Sequence, residues 1–342
     1  MLKEEDLRIL AKKLDIDIIG FSSIKDIDLY KDDYFSKIQS KIDKNTLYPR
    51  NRMDYKDYIN VEKVLDHPKS IISIGINFYQ KKSIVKDKLN YSITSYGKDY
   101  HHVLEEKVNL LLSHLPSSMN AFYQVDTKIL DDRFFAWLCG NGFYGKNTMI
   151  INPYYGSACF YATIVIDQEI EIKPFIRMDS LCHSCNACEV ACPTKCLNES
   201  TLNYKACLSH LTQTNTLVFH PSLNNSIYGC DICNEVCPFN KIETNHSYFQ
   251  DEGTIDLEHL LKMNNQEYNA TLKLKSMGWI NKNIIKKNAI LSNISYDRDI
   301  DSLLSDKEML LKDKNHSSLL VKAYEKIIHL KENGYEGNQE HN

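Results

Sequence analysis

The stretch Leu181 to Asn240 decides how this chain is read. It opens LCHSCNACEVACPTKCL (residues 181–197) and closes YGCDICNEVCPFN (residues 228–240), with Cys207 alone between them. Cys182, Cys185, Cys188 and Cys192 are spaced C-x2-C-x2-C-x3-C and followed by Pro193. Cys230, Cys233 and Cys237 repeat the pattern with one member missing, followed by Pro238, and Cys207 is the thiol that completes the set. Proline lacks an N–H and biases the residue before it away from helical backbone, so each proline stops its loop after the last cysteine.

This is the ligand run of bacterial ferredoxins with two clusters, in which three thiolates hold one cubane and the fourth reaches its neighbour. Crossing the fourth ligands over assigns Cys182, Cys185, Cys188 and Cys237 to one [4Fe-4S] cluster. Cys192, Cys207, Cys230 and Cys233 then hold the other. Zinc also uses pairs of C-x2-C, but a third cysteine at the next x2 step, with x3-C-P in both halves, departs from zinc spacing. Disulfides compete less well still, because no secretory segment is recognisable and cytosolic thiols stay reduced. Cys139, Cys159 and Cys196 are left over and read as small buried hydrophobes with no role.

With 342 residues, 43% of them hydrophobic, the chain is long enough for two or three domains with sizeable cores. No run of 18 or more apolar residues occurs, and MLKEEDLRILAKKL at the start reads as an amphipathic helix, so a soluble, cytoplasmic, monomeric protein without membrane contact is expected. A formal net charge of −4 gives no general argument for nucleic-acid binding. Any such partner must meet a local patch, and Lys273, Lys275, Lys282, Lys286 and Lys287, with no acid between Tyr268 and Tyr296, supply a candidate.

Around the cysteine segment the chain alternates in character. DIIGFSSI and the β-branched SIISIGINF (Ser70–Phe78) predict strands. The tyrosine-rich YPRNRMDYKDY between them predicts an exposed loop. Val103, Leu104, Val108, Leu111, Leu112 and Leu115 recur at helical spacing behind Asp99, a possible cap. AFYQVD predicts a strand ending at Asp126, DDRFFAWLCGNG a helix closed by Gly140 or Gly142, and GKNTMIINPYYGSACFYATIVID a hairpin-like strand pair. This alternation argues for an α/β domain over residues 1–168, followed by a ferredoxin-like two-cluster domain over 169–245. A small α-helical region with a disordered tail completes the chain over 246–342, so the whole is a multi-domain protein of mixed α+β and α/β character.

One motif is a decoy. Gly140 to Asn147 nearly matches the phosphate loop G-x4-G-K-[ST], but Asn147 lacks the hydroxyl that ligates magnesium and the predicted order is helix, loop, strand rather than strand, loop, helix. An ATPase is therefore rejected.

Taken with the cysteine runs, DYHHVLEEK, QVDTKILDDR, GKNTMIINPYYGS and ACLSHLTQT closely resemble the epoxyqueuosine reductase family over roughly residues 1–295. The resemblance implies an iron-sulfur and cobalamin enzyme that reduces epoxyqueuosine at the wobble position of tRNA to queuosine. It implies a cobalamin bound base-off in an N-terminal domain similar to that of reductive dehalogenases. By position it makes Asp126 the proton donor, lining the cobalamin together with Asn147, Ile150, Tyr161 and Ser209, and it places Asp99, Tyr100 and His101 near the substrate. A cysteine of some relatives is Ser92 here, and an expected arginine is replaced by Asn60, with Arg50 and Arg52 nearby. The cobalt-ligating signature D-x-H-x-x-G is not completed after Asp99 and His101, in keeping with base-off binding. Epoxide deoxygenation consumes two electrons and two protons. An external flavodoxin- or ferredoxin-type donor is implied, with tRNA as the partner. Two other readings use the same parts: an iron-sulfur electron-transfer protein, and a corrinoid-dependent reductive dehalogenase. A further reading of Asp126 alone makes it the cap of a helix starting near Ile129.

Overall fold

The computed structural model describes residues 2–39, 55–82, 84–86, 88–126, 129–217, 220–223, 225–292, 300–312 and 317–333. Arg50, Arg52, most of the tyrosine-rich loop and the tail from residue 334 lie outside them. The chain divides into two compact units. The first takes residues 1–81, 100–204 and 232–246, and the second takes 82–99, 205–231 and 247–342.

The first unit is built on four strands, β1 (Ile18–Ser23), β2 (Ser70–Asn77), β3 (Ala121–Val125) and β4 (Cys159–Ile166), in the order β1-β2-β4-β3. Every residue of β2 is buried, which explains its unbroken apolar, β-branched sequence: a central strand covered on both faces needs no polar side. Helices α1 (Glu4–Lys13), α2 (Tyr100–Ser113) and α3 (Asp132–Leu138) flank the sheet. α3 drives Phe134, Phe135 and Trp137 into a core shared with Ile71, Tyr161 and Val165.

Within this sheet all neighbouring strands are antiparallel, and the one parallel pair described in the unit is the two-residue Leu2–Lys3 with Ile170–Glu171, so the unit is α+β, and the α/β expectation drawn from alternation is corrected. The physical reason is insertion. β2 and β3 run parallel to each other with α2 between them in sequence, as a crossover unit does, but β4 arrives later in the chain and pairs antiparallel with both. The expected hairpin across Pro-Tyr-Tyr-Gly is corrected as well. Ile150–Ile151 pairs with Phe143–Tyr144 and the turn closes only an Asn152–Gly156 bridge, while the strand after it joins the main sheet.

Two short helices, α4 (Ala187–Ala191) and α5 (Ile232–Glu235), pack together in the cysteine segment of this unit. In the second unit α6 (Lys282–Ser292), α7 (Ile300–Lys312) and α8 (Ser318–Asn333) close on Ile290, Leu291, Leu303, Leu320, Ala323 and Ile327. The lysine run proves to be largely internal. Lys287 is fully buried and donates to the carbonyls of Thr214 (3.0 Å) and Thr216 (2.9 Å). Lys286 serves Leu261 (2.6 Å) and Met263 (2.8 Å), and Lys275 pairs with Asp251. Burial holds the amines of Lys286 and Lys287 down at about 8. Lys286 and Lys287 satisfy carbonyls that no regular structure pairs, and Lys275 is committed to Asp251, so of the five lysines in the suggested patch Lys273 and Lys282 remain. Among the described residues no helix is long and apolar enough to cross a membrane.

Candidate active site and metal centre

The β3–β4 ladder is described as far as Val125 opposite Ala162. Asp126 comes next, with φ at 56°, in the left-handed region that costs a residue with a Cβ and persists only where its surroundings impose it. Its backbone N–H donates to Asp132 Oδ2 at 2.6 Å. Its side chain, 48% exposed, accepts a hydrogen bond from the Tyr100 hydroxyl, and Oδ2 lies 3.9 Å from His101 Nε2. The Tyr100 ring is held by stacking on Phe160 (3.8 Å) and on His101 (4.0 Å), and Phe160 stacks on Phe78 (3.9 Å). Asp126 is not a helix cap. That task falls to Asp131, which accepts from the N–H groups of Arg133 (2.9 Å) and Phe134 (3.2 Å).

Three further residues of this site are not among the candidates read from the sequence, although Gln124 and Asp132 lie within QVDTKILDDR. Gln124 receives the Leu130 N–H at 2.9 Å and donates to the Leu130 carbonyl at 2.6 Å, closing the chain on itself. The Asp132 carboxyl, besides the Asp126 amide, takes the Thr163 hydroxyl and Gln124 Nε2 (3.2 Å). Enclosure away from water pushes the Asp132 carboxyl up to about 8, against the lowering effect of its donors. A carboxyl raised this way stabilises the fold fully below about 3.8, its ordinary value, and that contribution is lost as pH rises through about 8. Asp132→Asn is therefore expected to flatten the fall in stability across this interval, measured by denaturant unfolding at a series of pH values.

The other part of the site lies in the cysteine segment. Cys182, Cys185, Cys188 and Cys237 line one small cavity, together with Lys146, Asn147 and Phe239. Turns present the thiols: the N–H of Cys185 bonds the Cys182 carbonyl (2.7 Å) and that of Cys237 bonds the Asn234 carbonyl (3.1 Å). Cys237 and Cys182 share an apolar cluster with Phe143, Ile151, Met178 and Phe239. Burial raises the Cys188 thiol to about 11 and also raises Cys237. Among the described residues no three His, Cys, Asp or Glu side chains gather tightly enough for a single metal ion; the four thiols surround a space. The remaining ligand candidates divide, Cys192 and Cys233 in the first unit and Cys207 and Cys230 in the second. Cys192 lies 3.3 Å from Cys196 Sγ, which holds its thiol down at about 5.

Asn240 ties the second cysteine loop to the sheet. Its Oδ1 accepts from the Ser157 N–H (2.7 Å) and its Nδ2 donates to Ser157 Oγ (3.0 Å) and the Asn234 carbonyl (2.7 Å). Gly156, at φ +83°, permits this approach, since a Cβ there would stand 2.0 Å from Asn240 Oδ1. Asn240→Ala is expected to cost about 2–4 kcal/mol, because it strands buried partners, and to lower iron retention; denaturant unfolding and iron analysis check both.

The residues carried over for the cofactor differ in their fit. Asn147 is buried and, among the described residues, its Nδ2 has no hydrogen-bond partner. Ile150 and Tyr161 are buried in one core cluster, with the Tyr161 hydroxyl beside the Cys159 thiol. Asn60 caps a helical turn, accepting from the Glu62 N–H at 3.1 Å. Ser209 lies in the second unit, its carbonyl accepting from Thr212 (2.8 Å) and Gln213 (2.8 Å). In that same unit Ser92 bonds Asp231 and the Thr94 N–H, a structural role.

Residues 59–129 match the family model described as Epoxyqueuosine reductase QueG, DUF1730, and residues 181–240 match a 4Fe-4S double cluster binding domain. The epoxyqueuosine reductase of Bacillus subtilis (strain 168) is 33% identical over 333 residues, covering 91% of this chain and 83% of that protein. This chain belongs to the epoxyqueuosine reductase family. It is accordingly an oxidoreductase with a domain for iron-sulfur clusters. An epoxyqueuosine reductase solved with an epoxyqueuosine-modified tRNA-Tyr stem loop matches with a TM-score of 0.79 at 28% identity, covering 96% of this chain and 98% of that one. Another, from Bacillus subtilis with its catalytic aspartate loop swung out of the active site, matches with a TM-score of 0.78 at 28% identity, covering 94% and 88%.

Proposed function

We propose that this protein reduces the epoxide of epoxyqueuosine in tRNA to the alkene of queuosine, with Asp126 as proton donor. The observation that carries this reading is the Asp126 carboxyl, held on left-handed backbone at the open end of the edge strand against Tyr100 and His101. The net reaction takes two electrons and two protons and releases the epoxide oxygen as water. Asp126 delivers a proton to the departing oxygen, and the Tyr100 hydroxyl, donating to Oδ2, fixes the direction of the carboxyl.

Cys182, Cys185, Cys188 and Cys237 are the ligands of one [4Fe-4S] cluster in this reading, supported by the cavity they share. Cys192, Cys207, Cys230 and Cys233 are the ligands of the second. Assembled clusters supply single electrons at low potential, drawn from an external flavodoxin- or ferredoxin-type donor. Base-off cobalamin, when bound, supplies a strongly reducing, nucleophilic cobalt centre. Asn147, Ile150, Tyr161 and Ser209 would hold it, and the unpartnered Nδ2 of buried Asn147 is a donor suited to an amide of the corrin periphery. Asn60 contributes less, its side-chain oxygen being committed to its cap. Residues 1–168 would be the catalytic part, 169–245 the cluster part and 246–342 a helical extension of a cytoplasmic monomer. For the tRNA, exposed Trp279 borders an open cavity of about 770 Å3, also lined by Lys273 and Lys282, which offers stacking and charge to an RNA strand.

Anaerobic reconstitution with iron, sulfide and cobalamin, followed by assay on epoxyqueuosine-containing tRNA with a chemical reductant, tests the reading. Conversion to queuosine is expected. Fully loaded protein that leaves the epoxide intact overturns it.

A further inference from the structure

We propose that Asp132 is the positioning residue of this reaction: its carboxyl latches the backbone amide of Asp126 and so keeps the proton donor at its station. The inference rests on the assignment of Asp126 above. Left-handed backbone at an aspartate does not maintain itself, and the described contacts show what imposes it. Asp132 Oδ2 receives the Asp126 N–H at 2.6 Å, six residues back along the chain. The same carboxyl is itself fixed by Thr163 on β4 and by Gln124 on β3, so the latch is anchored to the two strands that meet at the site. Gln124 also grips both backbone groups of Leu130. Asp126 is thereby pinned at its amide, by Asp132, and at its carboxylate, by Tyr100. A relative has been solved with its catalytic aspartate loop swung out of the active site; releasing the amide is the local event that such a movement requires here. Asp132 touches neither reacting atoms nor substrate in this role.

The test compares Asp132→Ala, Asp132→Asn and Thr163→Val in the reconstituted protein. Asp132→Ala is expected to lower kcat about 10- to 100-fold with KM for the tRNA stem loop unchanged. It should also speed amide exchange of the peptide spanning residues 121–126 by at least about tenfold. Asp132→Asn, which keeps an oxygen for the Asp126 amide, should recover most of the protection and most of kcat. Combined with Asp126→Asn, Asp132→Ala should add no further loss of turnover. If Asp132→Ala destabilises the whole fold, the comparison of Asp132→Asn with Thr163→Val decides, the second being expected to exchange faster than the first. Unchanged exchange in Asp132→Ala, or in Thr163→Val under that comparison, overturns the latch. The exchange readout does not depend on turnover, so an active Asp126→Asn protein would refute the proton-donor assignment while leaving the latch standing on its own measurement.

Discussion

Asp126→Asn is expected to stop epoxide reduction, lowering kcat on the order of 10²- to 10⁴-fold, the range that a positioned proton donor supplies. The substitution is unusually clean for a structural reason. Asparagine tolerates the left-handed region at least as well as aspartate, so φ at 56° costs the variant nothing new. The amide oxygen still accepts from Tyr100, and the backbone N–H still reaches Asp132. What disappears is the transferable proton. Iron content, cobalamin absorption and KM for a tRNA stem loop should all stay at their wild-type values while turnover falls. Wild-type turnover in this variant removes Asp126 from the chemistry and leaves Tyr100 and His101 to be examined as proton sources.

The double variant Cys182→Ala/Cys185→Ala should lose one whole cluster, taking iron from about eight to about four per chain, and should have no measurable turnover. Two missing thiolates leave Cys188 and Cys237 alone in the cavity, too few to hold a cubane. The consequence reaches beyond redox chemistry, because in the proposed assignment the cluster would join residues 182–188 to Cys237 across more than forty residues of sequence and metal binding is coupled to folding. Faster proteolysis between the two cysteine runs should accompany the loss. Iron remaining at about eight would refute the crossed ligand assignment.

The two parts of the site were legible in the sequence to different degrees. Thiolate spacing is dictated by the size of a cluster and by the turns that present each sulfur, so the cysteine runs announce themselves locally. Family motifs singled out Asp126, but the residue alone suggested a helix cap with equal force. The fold gives the cap of the following helix to Asp131. Gln124 and Asp132 lie within QVDTKILDDR, but spacing does not show what they grip, and Thr163 enters from another strand. The lysine run misled for a related reason. A lysine that satisfies buried carbonyls, as Lys287 does for Thr214 and Thr216, has the same sequence signature as one that faces water.

By itself the sequence determined the features that depend on short-range spacing: the cysteine runs of a double-cluster domain, the buried run of the central strand, the helix behind Asp99 and the family. The tertiary structure alone decided that the sheet is antiparallel, because β4 slots between two strands that precede it. It alone decided that Asp126 stands on a strained backbone held by Asp132. Spacing along a chain specifies contacts within a turn or two of backbone; these contacts close over longer paths, and only packing chooses among the partners available to them.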